Sequence, residues 1–190
     1  MMPWMRQRIG MNSRLVDDIG PTIVTLVDFN EWLKWDSSEE ENTRMACLTA
    51  AIKQAEQYTR RTLLRSTWRT YLECFPSCVT LDVLPVVTSS IVVKYFDVDN
   101  VEQTLATTEY FVKDNREDYT EIIFHGTMPS IYDRYEPIYI EYTAGYEDGY
   151  LPEGIKVGIL RKATDSFEKR EDESNSTQEA HKMWFPYKML

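Results

Sequence analysis

Few side chains in this 190-residue sequence have the type and spacing that chemistry would require. The two histidines, His125 and His181, are far apart, and neither stands at the spacing of a metal-binding cluster. His125, which Gly126 follows, could act as a lone acid or base, but a polar loop residue is the simpler interpretation. We find no nucleophile-elbow, phosphate-loop or dinucleotide-binding motif.

Carboxylates are concentrated in 114-DNREDY-119 and 147-EDGY-150. Either stretch could supply a pair for general acid–base catalysis, and Glu147 with Asp148 could bind a cation. Both stretches have the composition of turns, however, and such clusters carry almost no specificity. We therefore assign no catalytic, metal-binding or cofactor-binding residue, and we expect a protein that is not an enzyme.

Cysteine content and the N-terminal residues predict a chain that is made in the cytoplasm. Cys74 and Cys78 could form a disulfide or bind a metal ion, but two partly buried strand residues are the simpler interpretation. An odd number of cysteines without a framework indicates free thiols. The stretch 1-MMPWMRQRIGMNSRLV-16 has no unbroken apolar run, so we expect neither a signal peptide nor contact with a membrane.

The net charge of −10 limits the classes of partner. Proteins that grip a nucleic-acid backbone need clustered Lys and Arg, so this chain is a poor candidate for that role, although it could stand near DNA and repel it. The hydrophobic fraction of 43% is sufficient for the core of one domain of ordinary size.

Helices are predicted in two stretches of the N-terminal third. In 25-TLVDFNEWLKW-35, Thr25 can cap a helix, and Asp28 completes a capping box. A longer helix is predicted over 38–62, where Ser38 and Glu41 fit the same box. Its apolar stripe would consist of Met45, Leu48, Ile52 and Ala55.

A third helix is predicted over 152–170, because Pro152 suits the first helical position. Gly154 and Gly158 leave a smooth strip on this helix, along which another backbone could approach closely. The apolar face would consist of Ile155, Ile159, Leu160, Ala163 and Phe167.

Residues 66–146 alternate apolar and polar side chains and are rich in β-formers, which predicts an antiparallel β region. Asp97-Val98-Asp99-Asn100 is predicted to form a hairpin turn. The predicted fold class is α+β: a small bundle of amphipathic helices, built on the long N-terminal helix and the C-terminal helix, with the antiparallel β region inserted.

Both ends of the chain have a composition unlike the middle. Residues 1–22 have no periodicity and are expected to form an N-terminal arm. Residues 171–179 are polar, and this composition predicts a linker or a solvated helical extension. The following segment, 183-MWFPYKML-190, is apolar again. Such a segment either folds back onto its own domain or docks on another subunit or protein. The candidate partner-binding residues are Met183, Trp184, Phe185, Tyr187 and Leu190.

Four stretches resemble the head–tail connector (adaptor) family of tailed bacteriophages and occur in the order typical of that family. They are 24-VTLVDFNEWLK-34, 55-AEQYTRRTLLRSTW-68, 84-LPVVTSSIVVKYFDVDNVEQTL-105 and 138-IYIEYTAGYEDGYLPEGIKVGIL-160. The resemblance covers about residues 23–170, which would be the connector domain, and leaves the arm and the tail at 171–190 outside. Two departures are the missing second proline after Pro85 and Asn100 in place of a glycine.

The resemblance implies a homo-oligomeric ring, of twelve copies, that joins the capsid to the tail beneath the portal protein. DNA would pass through its channel without sequence-specific binding, and downstream neck or tail proteins would attach below. Gly145 and Pro152 would turn the chain so that the C-terminal segment reaches the portal. The protein would be part of the virion, assembled in the host cytoplasm. The alternatives are another neck or tail-completion protein, or a small enzyme that uses loop carboxylates.

Overall fold

A computed structural model describes residues 13–18, 23–115, 119–147, 149–168 and 174–189. The chain divides into two compact units. The β unit comprises Met1–Gly20 and Arg65–Gly145, and the helical unit comprises Pro21–Leu64 and Tyr146–Leu190.

Eight strands in the described residues form two antiparallel sheets of the β unit. In chain order the strands are β1 (Ser13–Asp18), β2 (Ser66–Leu72), β3 (Cys78–Leu81), β4 (Val86–Phe96), β5 (Glu102–Thr104), β6 (Tyr110–Asp114), β7 (Thr120–Phe124) and β8 (Ile138–Ala144). One sheet has the order β1-β2-β8-β4-β5, and the other has the order β3-β7-β6. A short 3₁₀ turn, Thr107–Glu109, precedes β6.

The core of the β unit follows from the alternation along its strands. Ile138, Ile140 and Tyr142 of β8 point to one face and are almost fully buried, as are Val93 of β4 and Ile122 of β7. The side chains of β8 that alternate with them lie on the opposite face, where Tyr139 is buried and Glu141 and Thr143 are partly exposed. The predicted turn at Asn100 is confirmed: its φ is +59°, and its N–H donates to the Asp97 carbonyl at 2.8 Å.

Four helices lie in the described part of the helical unit: α1 (Leu26–Leu33), α2 (Glu41–Thr59), α3 (Glu153–Glu168) and α4 (Ser174–Trp184). The predicted capping box is confirmed, since the Thr25 side chain accepts from the Asp28 N–H and the Asp28 carboxylate accepts from the Thr25 N–H. A 3₁₀ turn, Phe185–Tyr187, follows α4. The predicted apolar face of α3 is confirmed, because all five of its residues are buried.

The start of α2 differs from the prediction. Ser38 does not cap the helix, which begins at Glu41 after Glu40 has turned the backbone to a φ of +57°. Instead, the guanidinium of Arg44 donates to the Ser37 carbonyl at 3.2 and 3.1 Å. Arg44 is therefore buried on the inner side of α2, whereas Met45, which was predicted for the apolar stripe, is 44% exposed.

The predicted fold class is wrong in its architecture. The chain is mixed α+β, but it is not a helical bundle built on a long N-terminal helix. The long helix predicted over 38–62 spans only Glu41–Thr59, and eight strands of the described residues form two antiparallel sheets with a core of their own. Residues 13–18, expected to lie in an arm, form edge strand β1 against β2. No helix in the described ranges is long and apolar enough to cross a membrane.

Candidate assembly surfaces

Trp184 fastens the C-terminal helix α4 to α3. Its side chain is fully buried, and its Nε1 donates a hydrogen bond to the Ile155 carbonyl at 3.3 Å. The indole occupies a notch at Gly158, where a Cβ atom would lie only 2.3 Å from Nε1. The glycine strip on α3 therefore receives an aromatic ring rather than a second backbone.

The residues after Trp184 contact α3 and the C-terminal end of α2. The Tyr187 ring lies over Gly154, 2.8 Å from the position of a Cβ atom there. Arg61 Nε donates to the Tyr187 carbonyl at 2.8 Å, and the Met189 N–H donates to the Thr59 carbonyl at 3.0 Å. These contacts satisfy a carbonyl at the helix end that has no partner within α2.

An aromatic stack joins α4 to α2 as well. The rings of His181 and Tyr58 lie parallel with centroids 4.1 Å apart, and the Lys188 ammonium lies 5.3 Å from the Tyr58 centroid. Burial, followed by the charges of Lys162 and Lys188, lowers the pKa of His181. The docked segment therefore favours the neutral imidazole.

The five predicted partner-binding residues differ in exposure. Trp184 is fully buried in the helical core, and Met183 and Tyr187 pack against that core. Phe185 is 68% exposed, and Leu190 lies outside the described residues. The described part of the segment thus folds back onto its own unit. Contact with a partner stays a prediction, for which Phe185 offers the exposed ring.

The two predicted junction residues each have a local structural role. Gly145 has a φ of +119°, which favours glycine, and its N–H donates to the Pro85 carbonyl at 2.9 Å. Pro152 precedes α3, and its carbonyl accepts from the N–H groups of Ile155 and Lys156. Whether these residues direct the C-terminal segment toward a partner stays a prediction.

The candidate catalytic and metal-binding residues do not converge in the described parts of the chain. The His125 ring stacks on Phe111 with centroids 4.3 Å apart, and its buried Nε2 has no hydrogen-bond partner there. Asp148 and residues 116–118 lie outside the described residues. Within the described ranges, no three His, Cys, Asp or Glu side chains are grouped so that they could hold a metal ion. Cys74 and Cys78 are not joined by a disulfide. Cys78 is a partly buried residue of β3, as expected, whereas Cys74 is exposed and lies outside the strands.

The outer face of the five-stranded sheet carries cations that are already paired. Arg69 Nε contacts Glu141 Oε2 at 2.6 Å, and its guanidinium lies 4.8 Å from the centroid of the Tyr139 ring. Two more pairs continue across the sheet, Arg14–Glu136 at 2.7 Å and Lys94–Glu102 at 3.2 Å. Because a carboxylate contacts each of these cations, this face has little excess positive charge to offer a phosphate backbone.

One exposed apolar region was not singled out from the sequence. Val98 and Val101 flank the β4–β5 turn, and Tyr132 and Tyr135 lie in the loop before β8. Their exposed fractions are 60%, 52%, 41% and 71%. The sequence feature that could have indicated this region is the presence of four apolar side chains in segments predicted to be turns and loops.

Comparison with known proteins gives a result at the level of structure. No protein-family model matches the chain, and no curated protein matches it. Its fold is similar to that of chains in gene transfer agent (GTA) particles. A chain in the neck of an empty GTA particle computed with C6 symmetry aligns with a TM-score of 0.74 and 19% identity, over 95% of this chain and 96% of that chain.

Two further solved structures contain a similar chain. One is the virion of a native gene transfer agent particle, with a TM-score of 0.72 and 17% identity. The other is the neck of a native GTA particle computed with C12 symmetry, with a TM-score of 0.69 and 19% identity. Both alignments cover 95% of this chain and 96% of the other. At such identities the similarity shows a shared fold, and it extends over nearly the whole chain.

Proposed function

We propose that this chain is a structural protein of a bacteriophage-like particle, a head–tail connector in the neck that joins the capsid to the tail. The observation that carries the proposal is the fold similarity over 95% of the chain to proteins in GTA necks. The four stretches that resemble the connector family support the same function, and they do so from the sequence alone. The protein would be part of the virion, after assembly in the host bacterial cytoplasm.

In this proposal the chain forms a closed homo-oligomeric ring of twelve copies. The support is that the two similar neck structures were computed with C6 and C12 symmetry, and twelve copies are compatible with both. A head-to-tail interface that closes by rotation generates such a ring. Exposed side chains of the helical unit, including Val27 and Trp32 of α1, are available for contacts between copies.

The portal protein is the proposed upstream partner, and neck or tail proteins are the downstream partners. Phe185 carries the upstream contact in this proposal, because its ring is exposed while the adjacent Trp184 holds the segment on its own core. An aromatic anchor that a rigid backbone presents is a typical contributor to binding energy at an interface.

DNA passes through the ring without being bound. The net charge of −10 repels a phosphate backbone, and carboxylates already pair with Arg14, Arg69 and Lys94 on the outer face of the five-stranded sheet. We assign the chain no enzymatic activity and no cofactor.

The experiment is to purify particles from the source of this chain and to reconstruct their neck by cryo-electron microscopy. We expect a ring whose density fits both the β unit and the helical unit. A neck in which this fold is absent would contradict it. A ring that contacts only the tail tube would instead favour a tail-completion protein.

A further inference from the structure

We propose that the end of the β unit formed by the β4–β5 turn and the loop before β8 docks a different protein, one whose contact surface carries Lys and Arg around an apolar centre. We call this surface the tip patch; it consists of Phe96, Val98, Val101, Tyr132, Arg134 and Tyr135. The inference rests on the proposed function, because it names the chemistry of one neighbour of this chain in the particle.

Hydrogen bonds hold the two segments of the tip patch together. The Tyr132 N–H donates to the Phe96 carbonyl at 3.0 Å, and the Phe96 N–H donates to the Pro137 carbonyl at 2.9 Å. Arg134 Nη1 donates to Asn100 Oδ1 at 3.1 Å, and its guanidinium lies 4.0 Å from the Phe96 ring centroid. The loop and the turn therefore form one surface that is already ordered, so a partner does not have to order it on binding.

Tyrosine and arginine, two of the side-chain types that contribute most at protein interfaces, stand on this surface beside exposed valines. Tyr135 is 71% exposed and Val98 is 60% exposed, and Arg134 lies between the two segments. Tyr and Arg are enriched among residues that dominate binding energy. Grouped exposed apolar side chains with a polar rim mark interaction sites, whereas scattered ones do not.

The charges around the patch specify the partner. Asp97, Asp99 and Asp133 border it, and none of them forms an ion pair in the part of the chain that the structure describes. Hydrogen bonds from the Val101 N–H, the Gln103 side chain and the Asp99 N–H lower the pKa of Asp97, so its carboxylate stays ionised near neutral pH. A partner with basic residues complements this rim. Nucleic acid and a second copy of this chain, with its net charge of −10, do not.

The test is site-specific photo-crosslinking in assembled particles. The chain with Tyr135→p-benzoylphenylalanine is produced in cells that form the particles, which are purified and irradiated before the adduct is mapped by mass spectrometry. The expected product joins position 135 to a different protein, within a segment that contains Lys or Arg. A matched chain with Tyr150→p-benzoylphenylalanine, in the helical unit, reports labelling at an equally exposed tyrosine.

A second variant separates docking from chance proximity. Val98→Ser with Val101→Ser in the labelled chain leaves the fold unchanged, because both side chains are exposed, and is expected to reduce the adduct about tenfold. An adduct to a second copy, to an acidic segment, or to nothing while the chain is in the particle overturns the inference alone. Absence of the unlabelled chain from the particles overturns the proposed function, and the inference with it.

Discussion

The indole of Trp184 occupies the space that any side chain at position 158 would need. A Cβ atom on Gly158 would lie 2.3 Å from Trp184 Nε1 and 2.8 Å from Cδ1. A residue 26 positions along the chain thus explains a glycine in the middle of a helix. The contact joins the C-terminal helix to the core that α2 and α3 form, and it makes the end of the chain part of the folded protein.

Gly158→Ala is expected to destabilise the protein by up to about 2 kcal/mol. Forcing a methyl group into a packed core costs about 1–3 kcal/mol, and the higher helix propensity of Ala offsets about 1 kcal/mol of that. Urea unfolding measures the difference. Gly154→Ala is the matched control with a smaller loss expected, because the atoms it meets belong to the ring of Tyr187, which is only partly buried, whereas Trp184 is fully buried. A stabilised Gly158→Ala protein would contradict this packing.

Substitution of two adjacent aromatic residues should distinguish an effect on stability from an effect on assembly. Trp184→Ala is expected to cost about 3–5 kcal/mol, as for other large buried side chains, whereas Phe185→Ala should stay within about 0.5 kcal/mol. Phe185→Ala should nevertheless weaken capture by the portal protein in a pull-down. Equal capture of Phe185→Ala and the unchanged chain would rule out the contact. Deletion of 179–190 is a poorer test, because it also removes Trp184.

Local features of the sequence predicted local structure well. The Thr25–Asp28 capping box, the Asn100 turn and the buried face of α3 each depend on residues within a few positions of one another. The burial of Arg44, which was not predicted, has a local cause as well. Its charge excluded it from the apolar stripe, but its guanidinium is buried because the Ser37 carbonyl accepts its hydrogen bonds.

Features that depend on distant partners could not be predicted. Strand β1 has no strong alternation, and it is a strand because β2, whose paired residues lie 48 to 57 positions away, offers a free edge. Helix α4 is polar at its start and is held by Trp184 in the notch at Gly158. Neither the two separate cores nor the tip patch follows from periodicity, because both require the pairing of the strands.

The ion pair between Asp28 and Lys156 should make stability depend on pH. Burial would raise the pKa of Asp28, but hydrogen bonds from Lys156, at 2.8 Å, and Thr25 outweigh it and lower the pKa from 3.8 to about 2. The stabilisation is therefore present above pH 3.8 and is lost as pH falls toward 2. Asp28→Asn is expected to cost about 1–2 kcal/mol at pH 7, after allowance for solvent screening. In urea unfolding, its difference from the unchanged chain should shrink between about pH 5 and 2.5. A constant difference would contradict the ion pair.

His181 should make docking of the C-terminal segment sensitive to mild acid. Because its pKa in the docked segment lies below the ordinary 6.5, the stabilisation is present above that pH and declines as pH falls below it. Hydrogen exchange at the amides of 181–189 is expected to be faster at pH 5.5 than at pH 7.5, after correction for intrinsic rates. His181→Phe keeps a ring on Tyr58 and should abolish the difference. If the unchanged chain and His181→Phe respond equally, the imidazole is not the titrating group.

Co-expression with the portal protein tests whether this chain is a connector. The complex is purified through a tag on the portal and imaged by electron microscopy, with Phe185→Ala as the matched variant. We expect a closed collar of twelve copies on one end of the portal, and a collar that is weakened or lost with Phe185→Ala. A chain that does not co-purify and stays monodisperse alone, or a collar that contacts only tail proteins when these are supplied, would contradict the connector function.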